Sequence, residues 1–327
     1  MRVMVLGASG HIGQKLVQDL CAAPWAATAA ASRSISASAH SDKVELIQIN
    51  TLDEAALTTV LGRFDAIVNC VAGNANSIST GAKAIASAAL AAGCPRVIHL
   101  STMSVYGPAQ GKLLESAPLD PGLGWYGRAK CEAEIYLKQY AHRGGQVVVL
   151  RPGCVFGPGS ELWVGRIGRW LSSARLGDLG IAGDGWSNLV HVDDVSLAVL
   201  RALQMPAYGG EFKAFNLAAP DSPRWNQYFV DLAVAIGAVP VRRISSIQIG
   251  LDSLLAGPPL KIAEAACRIL HGGRAFVPDP MPPGLVRLWA QHIQLDSTLA
   301  TGQLQLKWTP YDAGVKSSAA WFSRGSR

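Results

Sequence analysis

Charge is scarce in this chain. Asp, Glu, Lys and Arg make up 16% of its 327 residues while apolar residues reach 49%, against about 25% charged in an average soluble domain. Composition this apolar excludes intrinsic disorder and supplies a large buried core. Clustered basic charge is missing as well. Lys and Arg outnumber Asp and Glu by 29 to 23, giving +6, but apart from the pair Arg242 and Arg243 the cations are scattered singly. A binder of nucleic-acid backbones needs a basic stripe, so no nucleic-acid partner is expected. The mean hydropathy of +0.21 is high, yet the longest apolar stretches, near Leu20 to Ser32 and Ala84 to Pro95, contain Pro and small residues. They fall short of the ~20 residues that span a bilayer, so no membrane span is expected. MRVMVLGASG reaches its first glycine at position 7 and lacks the apolar core of a secretory signal, which leads us to expect a cytoplasmic protein. The six cysteines form no C-x-x-C and the seven histidines no H-E-x-x-H. Reduced, mostly buried thiols and no protein metal site are therefore expected.

What the first half does contain is an alternation of short strand-like runs with longer Ala-rich or amphipathic stretches, the pattern of βαβ units in a parallel sheet. Strands are predicted at Arg2–Leu6, Ala26–Ala31, Val44–Ile49, Ala66–Cys70, Arg96–Leu100 and Gln146–Leu150. Helices are predicted at His11–Ala23, Asp53–Leu61, Gly81–Ala92 and Tyr126–His142, with Asp53 and Asp193 as N-caps. Near residue 151 the texture changes to frequent Gly, Pro and Trp. The expected division is a nucleotide-binding domain over 1–150, rejoined by elements from about 190–217, and a mainly substrate-binding region over 151–327. Within the latter, helices are predicted at Asp193–Met205 and Arg224–Ile236 and a short strand at Ala214–Leu217, while 244–295 receives no assignment.

The first strand runs into GASGHIG, with Gly7, Gly10 and Gly13 opening a helix. Glycines there permit a tight turn and close approach of backbone to a pyrophosphate, and the helix N-terminus offers free N–H groups. Gly7, Ser9, Gly10, His11, Ile12 and Gly13 are thus candidate cofactor contacts. A carboxylate about 20 residues beyond such a turn suits the ribose hydroxyl of NAD, and an arginine suits the 2′-phosphate of NADP. No Asp or Glu occurs from Leu20 to Ser41, and Arg33 closes the second strand in ASRS, so NADP(H) is expected in preference to NAD(H).

In WYGRAK, Tyr126 and Lys130 stand four residues apart and so share a helix face. A cation held beside a tyrosine favours its phenolate, which would let the side chain exchange a proton with a substrate hydroxyl or carbonyl. HLSTMSVYG places Ser101 and Thr102 at the carboxyl end of the fifth strand, the edge at which parallel sheets bind ligands.

These motifs, with RPGCVFGPG and HVDDV in this order and at these intervals, resemble the extended short-chain dehydrogenase/reductase superfamily, the NAD-dependent epimerase/dehydratase group. The resemblance covers about residues 1 to 220 and persists weakly in DSTLATGQLQLKWTP. It implies a Rossmann-type, doubly wound α/β fold with a smaller C-terminal substrate-binding region. It also implies Thr102 as catalytic hydroxyl, Tyr126 as acid/base and Lys130 on the nicotinamide ribose. Ala72 and Gly73 would lie along the cofactor, and Arg151, Pro152 and Gly153 on its nicotinamide side. Asn50 stands where many members carry an Asp near the adenine. His191, Asp193 and Asp194 of HVDD are taken as mainly structural, and a homodimer through the helix bearing Tyr126 and its neighbour is implied.

Relative to the resemblance, Met103 and Ser104 stand where dehydratases have Asp and Glu, and Cys154 and Ser187 where sugar-nucleotide epimerases have Asn and Arg. An apolar wall of Met103, Trp125, Cys154, Phe156, Trp163 and Trp186 suits a lipophilic small molecule, although several of these tryptophans could equally be core. The expectation is an NADP(H)-dependent carbonyl reductase or alcohol dehydrogenase on a small, apolar compound. The alternatives are a nucleotide-sugar epimerase and a non-catalytic cofactor-binding regulator, the intact Thr, Tyr and Lys set arguing against the last.

Overall fold

A computed structural model describes residues 1–34, 44–93, 95–206, 209–256, 259 and 279–325. In chain order the main elements are β1 (Arg2–Leu6), α1 (His11–Ala22), β2 (Ala27–Ser32), β3 (Glu45–Gln48), α2 (Glu54–Leu61), β4 (Ala66–Asn69), α3 (Ala75–Ala91) and β5 (Arg96–Leu100). Then come β6 (Gly111–Leu113), α4 (Trp125–His142), β7 (Val147–Pro152), β8 (Cys154–Phe156), α5 (Arg166–Ser172), β9 (Leu189–His191), α6 (Val192–Gln204), β10 (Phe212–Leu217), α7 (Trp225–Ile236) and α8 (Ser246–Gly250). Further helices at Pro283–Trp289, Thr298–Gln303 and Tyr311–Gly325 follow.

Seven strands form one sheet in the order β10-β7-β5-β4-β1-β2-β3, and every neighbouring pair in it is parallel. The order reverses direction at β1, so the fold is a doubly wound Rossmann-type α/β sheet whose switch point lies between β1 and β4. Helices α2, α3 and α4 pack side by side, and α1 packs on α6. Val3, Val5, Ile67, Val68, Val97 and Leu150 are wholly buried on the sheet, as a strand covered on both faces requires.

Two compact units are distinguished. The first comprises Met1–Gly153, Val190–Pro220 and Leu295–Trp308, the second Cys154–Leu189, Asp221–Gln294 and Thr309–Arg327. The second is held by aromatic packing: the Trp225 ring centroid lies 5.4 Å from Trp163, 5.7 Å from Phe229 and 6.4 Å from Trp289, and Phe229 lies 5.2 Å from Trp289.

Most predicted elements lie within a residue or two of their observed ends, with three corrections. Helix α3 starts at Ala75, six residues before the Gly81 expected, because the Asn74 side chain accepts from Ser77 N at 2.8 Å and caps it there. Asp193 is not an N-cap: it lies in the first turn of α6, and His191 is the cap, its ring accepting from Asp193 N. The stretch 244–295, left without assignment, carries α8, the helix at Pro283–Trp289 and a strand at Ile293–Leu295. Asp53 caps α2 as expected, accepting from Ala56 N at 3.0 Å. Cys21, Cys70, Cys131 and Cys154 are free thiols, and Cys94 and Cys267 lie outside the described residues.

Candidate active site

The glycine turn follows β1 at the switch point. Gly7 takes φ +78°, and a Cβ on it would come within 2.9 Å of the Cys70 backbone carbonyl, so only glycine fits. A Cβ on Gly13 would overlap the Gly7 carbonyl oxygen. Gly10 occupies the N-cap of α1 and no side chain caps that helix, which leaves its first N–H groups for a ligand. Beside the turn lies a cavity of about 160 Å³, lined by Gly7, Ser9 and Gly10 from the turn, Ser32 and Arg33 from the end of β2, Asn50 and Thr51 after β3, and Cys70, Val71, Ala72 and Ser77 beyond β4. A dinucleotide fits this donor set: backbone N–H groups and a helix terminus for the pyrophosphate, an exposed arginine for a further phosphate. Gly73, at φ +130°, turns the chain just past Ala72. His11 and Ile12 open α1 and are half-buried.

The acid–base candidates gather at the carboxyl end of β5. Thr102 follows the strand and caps the short 3-10 turn Met103–Tyr106, its Oγ1 accepting from Ser104 N at 3.2 Å. Tyr126 sits in the first turn of α4 beside the Thr102 hydroxyl, which itself donates to Ser104 Oγ at 3.3 Å. Burial raises the Tyr126 pKa, and the neighbouring Thr102 hydroxyl only partly offsets it. Lys130 is instead engaged elsewhere: its side chain, 2% exposed, donates from Nζ to the Leu100 carbonyl at 2.6 Å and the Val71 carbonyl at 3.5 Å. Burial lowers its pKa to about 8, against the opposing charges of Cys70 and Glu134. The Val71 contact links the lysine to the cavity wall.

Arg151 departs from the expected loop position, because β7 continues through Pro152 and the Arg151 side chain is buried in an ion pair with Glu134 at 2.7 Å. Gly153 donates its N–H to Leu217 O at 2.9 Å. Of the expected apolar wall, Met103 and Trp125 belong to the first unit and the other four to the second. Met103 is buried, whereas Trp125 is 57% exposed, edge-on to Tyr126 at 5.7 Å. Cys154 and Phe156 are 1% and 2% exposed, Phe156 against Tyr228 and Trp163 against Trp225, so within their own unit these three contribute to its core. Trp186 carries the Arg224 guanidinium 4.6 Å from its ring centroid. Ser187 is wholly buried, its hydroxyl bonded to Pro223 O and Ser222.

Sequence reasoning missed Glu134, whose spacing of four from Lys130 puts it on the same helix face, and the lining residues Ser32, Thr51, Cys70, Val71 and Ser77. Ser32, Thr51, Cys70 and Val71 were signalled by their places at or just beyond strand ends, and Ser77 by the first turn of α3.

A glycine turn at the switch point with a Thr, Tyr and Lys set at the next strand edge defines a dinucleotide-binding α/β protein of the short-chain dehydrogenase/reductase type. The model of the "NAD dependent epimerase/dehydratase family" matches residues 3–218, and the chain belongs to that family. The chain is 32% identical over 173 residues to protein YeeZ of Escherichia coli K12, a match covering 53% of this chain and 58% of that protein's length. It is 26% identical over 245 residues to a 2'-dehydrokanamycin reductase of Streptomyces kanamyceticus, covering 72% and 67%. Among solved structures, the UDP-glucose 4-epimerase of Thermotoga maritima with UDP-glucose superposes with a TM-score of 0.74 at 19% identity, covering the whole of both chains. Among the described residues no helix is long and apolar enough to cross a membrane.

Proposed function

We propose that the protein is an NADP(H)-dependent oxidoreductase, a carbonyl reductase or the reverse alcohol dehydrogenase, acting on a small apolar carbonyl compound or alcohol. The observation that carries this reading is the placing of Tyr126 beside Thr102 and one helical turn from a buried Lys130 whose ammonium reaches the wall of the glycine-turn cavity. Gly7, Ser9, Gly10, His11, Ile12 and Gly13 would hold the pyrophosphate, Ala72, Gly73, Pro152 and Gly153 the nicotinamide side, and Asn50 the adenine. Arg33 stands exposed on the cavity rim with no carboxylate beside it in the lining, which suits a 2′-phosphate. When bound, the cofactor supplies or accepts the hydride. Thr102 Oγ1 would orient the substrate oxygen, and the Tyr126 phenol Oη would give it a proton as a carbonyl becomes an alcohol. Lys130 Nζ would turn from the backbone carbonyls to the ribose hydroxyls. The reductase relative of Streptomyces supports this direction.

The runner-up, a nucleotide-sugar epimerase, is favoured by one feature: Arg224 supplies a cation within two residues of Ser222 and stacked on Trp186, close to the position where Ser187 lacks one. That guanidinium is already taken up by the Asp184 carbonyl and carboxylate. A diphosphate would have to compete with Asp184 for it, and the absent partners at Cys154 and Ser187 each forfeit about 1–3 kcal/mol. The second unit is read as the substrate-binding part, and a cytoplasmic homodimer through α4, where Ile135 is 53% exposed, completes the proposal. The test is a paired screen of carbonyl compounds and UDP-sugars by thermal shift and by nicotinamide absorbance. Oxidation of NADPH by ketones or aldehydes, with silence from UDP-sugars, is expected; saturable UDP-sugar binding with C4 epimerisation and no response to carbonyls would replace this reading by the runner-up.

A further inference from the structure

The ion pair of Arg151 and Glu134 takes no part in the chemistry proposed above, yet its side chains are only 5% and 2% exposed. Two charges withdrawn from water seldom repay their desolvation by attraction alone, so a buried pair invites a question about geometry. Glu134 lies one turn beyond Lys130 on α4, the helix that also carries Tyr126. Its Oε1 accepts from Ser101 Oγ at 2.5 Å and from Arg151 Nε at 3.1 Å, and its Oε2 accepts from Arg151 Nη2 at 2.7 Å. Arg151 Nη1 donates in turn to Tyr106 Oη and to the Glu115 carbonyl, each at 2.9 Å, and the guanidinium lies 5.2 Å from the Tyr106 ring centroid. Tyr106 is fixed further by donating to Asn216 Oδ1 at 2.6 Å.

Ser101 and Tyr106 are the two residues that bracket the segment from Thr102 to Val105. We propose that Glu134 and Arg151 are positioning residues: tied to Ser101 at one end of this segment and to Tyr106 at the other, the buried pair holds Thr102 in register with α4, the helix that carries Tyr126. The proposal rests on the catalytic reading above for its consequence in turnover, but the geometry it asserts can be read without substrate. A charged pair suits this task because several directional bonds converge on two rigid, planar groups, and none of them can slide without stranding a charge.

Ser101→Ala is the cleanest probe, since it cuts one tether and leaves the ion pair whole. The readout is the Tyr126 ring resonance in protein carrying isotope-labelled tyrosine, identified by its loss in Tyr126→Phe. We expect Ser101→Ala to move that resonance toward the position it takes in Thr102→Val, and Ser101→Thr to return it. Glu134→Gln, which keeps an acceptor for Ser101, should move it less than Glu134→Ala. With benzaldehyde and NADPH, kcat of Ser101→Ala should fall about tenfold while the KM for NADPH stays within about twofold, since misplacement costs the reacting geometry and not the phosphate contacts. A Tyr126 resonance unmoved by both Ser101→Ala and Glu134→Gln, in folded protein where Thr102→Val displaces it, overturns the proposal. Benzaldehyde reduction that persists in Tyr126→Phe contradicts the catalytic reading alone, and the resonance comparison then still decides the positioning claim.

Discussion

The two units of this protein use their residues differently. In the first, the functional candidates are set by backbone: a glycine that only positive φ can serve, a helix left uncapped by side chains, and carbonyls at Leu100 and Val71 that take up Lys130. In the second, indole and phenol rings pack on one another, Trp225 touching Trp163, Tyr228, Phe229 and Trp289. Backbone constraint leaves a motif in the sequence, because few residue types satisfy it. Mutual packing leaves only composition, because many apolar combinations fill the same volume. Chemistry in the first unit and shape in the second follow from that contrast.

The contrast can be broken most forcefully at Tyr126. Tyr126→Phe should cut NADPH-dependent carbonyl reduction by about 10² to 10⁴, the usual range for a lost proton donor, with NADPH affinity measured by fluorescence nearly unchanged. Retention of more than about a tenth of the rate would mean that another group moves the proton. The corresponding blow to the second unit is Trp225→Ala. Removing a wholly buried indole from four ring neighbours should cost about 3–5 kcal/mol in denaturant unfolding, without altering NADPH affinity in the folded protein. A loss of cofactor affinity with unchanged stability would erase the division of labour.

Arg33 sharpens the comparison from the cofactor side. Arg33→Asp should remove a charge-assisted contact worth about 1.5–3 kcal/mol and reverse the preference from NADPH to NADH in paired titrations. Equal affinities in the unaltered protein would leave that assignment without basis. The smallest effect expected is on pH dependence. Burial brings Lys130 down to about 8, so its charge is present below that value and lost as pH rises through it. NADPH binding should therefore weaken by roughly tenfold between about pH 7 and about pH 9, and Lys130→Met should bind weakly with that step removed. Stability runs the opposite way: folding holds fewer protons on Lys130 than the unfolded chain does between about 8 and its ordinary value, so the lysine's penalty to folding is relieved as pH rises across that interval.

Legibility in the sequence divides along the same line. The parallel sheet, the glycine turn and the shared helix face of Tyr126 and Lys130 could be read from alternation, punctuation and spacing, whereas the choice of Thr102 to join them is what the family resemblance implies. The start of α3 could not, because Asn74 is one polar residue among several and only the fold shows that its side chain reaches Ser77 N. Glu134 was hidden for a different reason: a glutamate four residues after a lysine reads as a surface pair, and its burial depends on Arg151 arriving from β7. The upward push on the Tyr126 pKa likewise depends on how deeply the side chain is covered, which spacing does not encode. Trp163 and Phe156 read as well for a pocket as for a core, and their contacts within the second unit are those of a core.

The central claim is net hydride transfer to a carbonyl substrate, and it is tested most directly with NADPH deuterated at its transferable hydrogen. The purified protein, incubated with this cofactor and an aromatic or aliphatic aldehyde, should consume one NADPH per alcohol formed and leave the deuterium on the new carbinol carbon. Conversion of UDP-glucose to its C4 epimer, with no net change in nicotinamide absorbance and no label appearing in any alcohol, would contradict it.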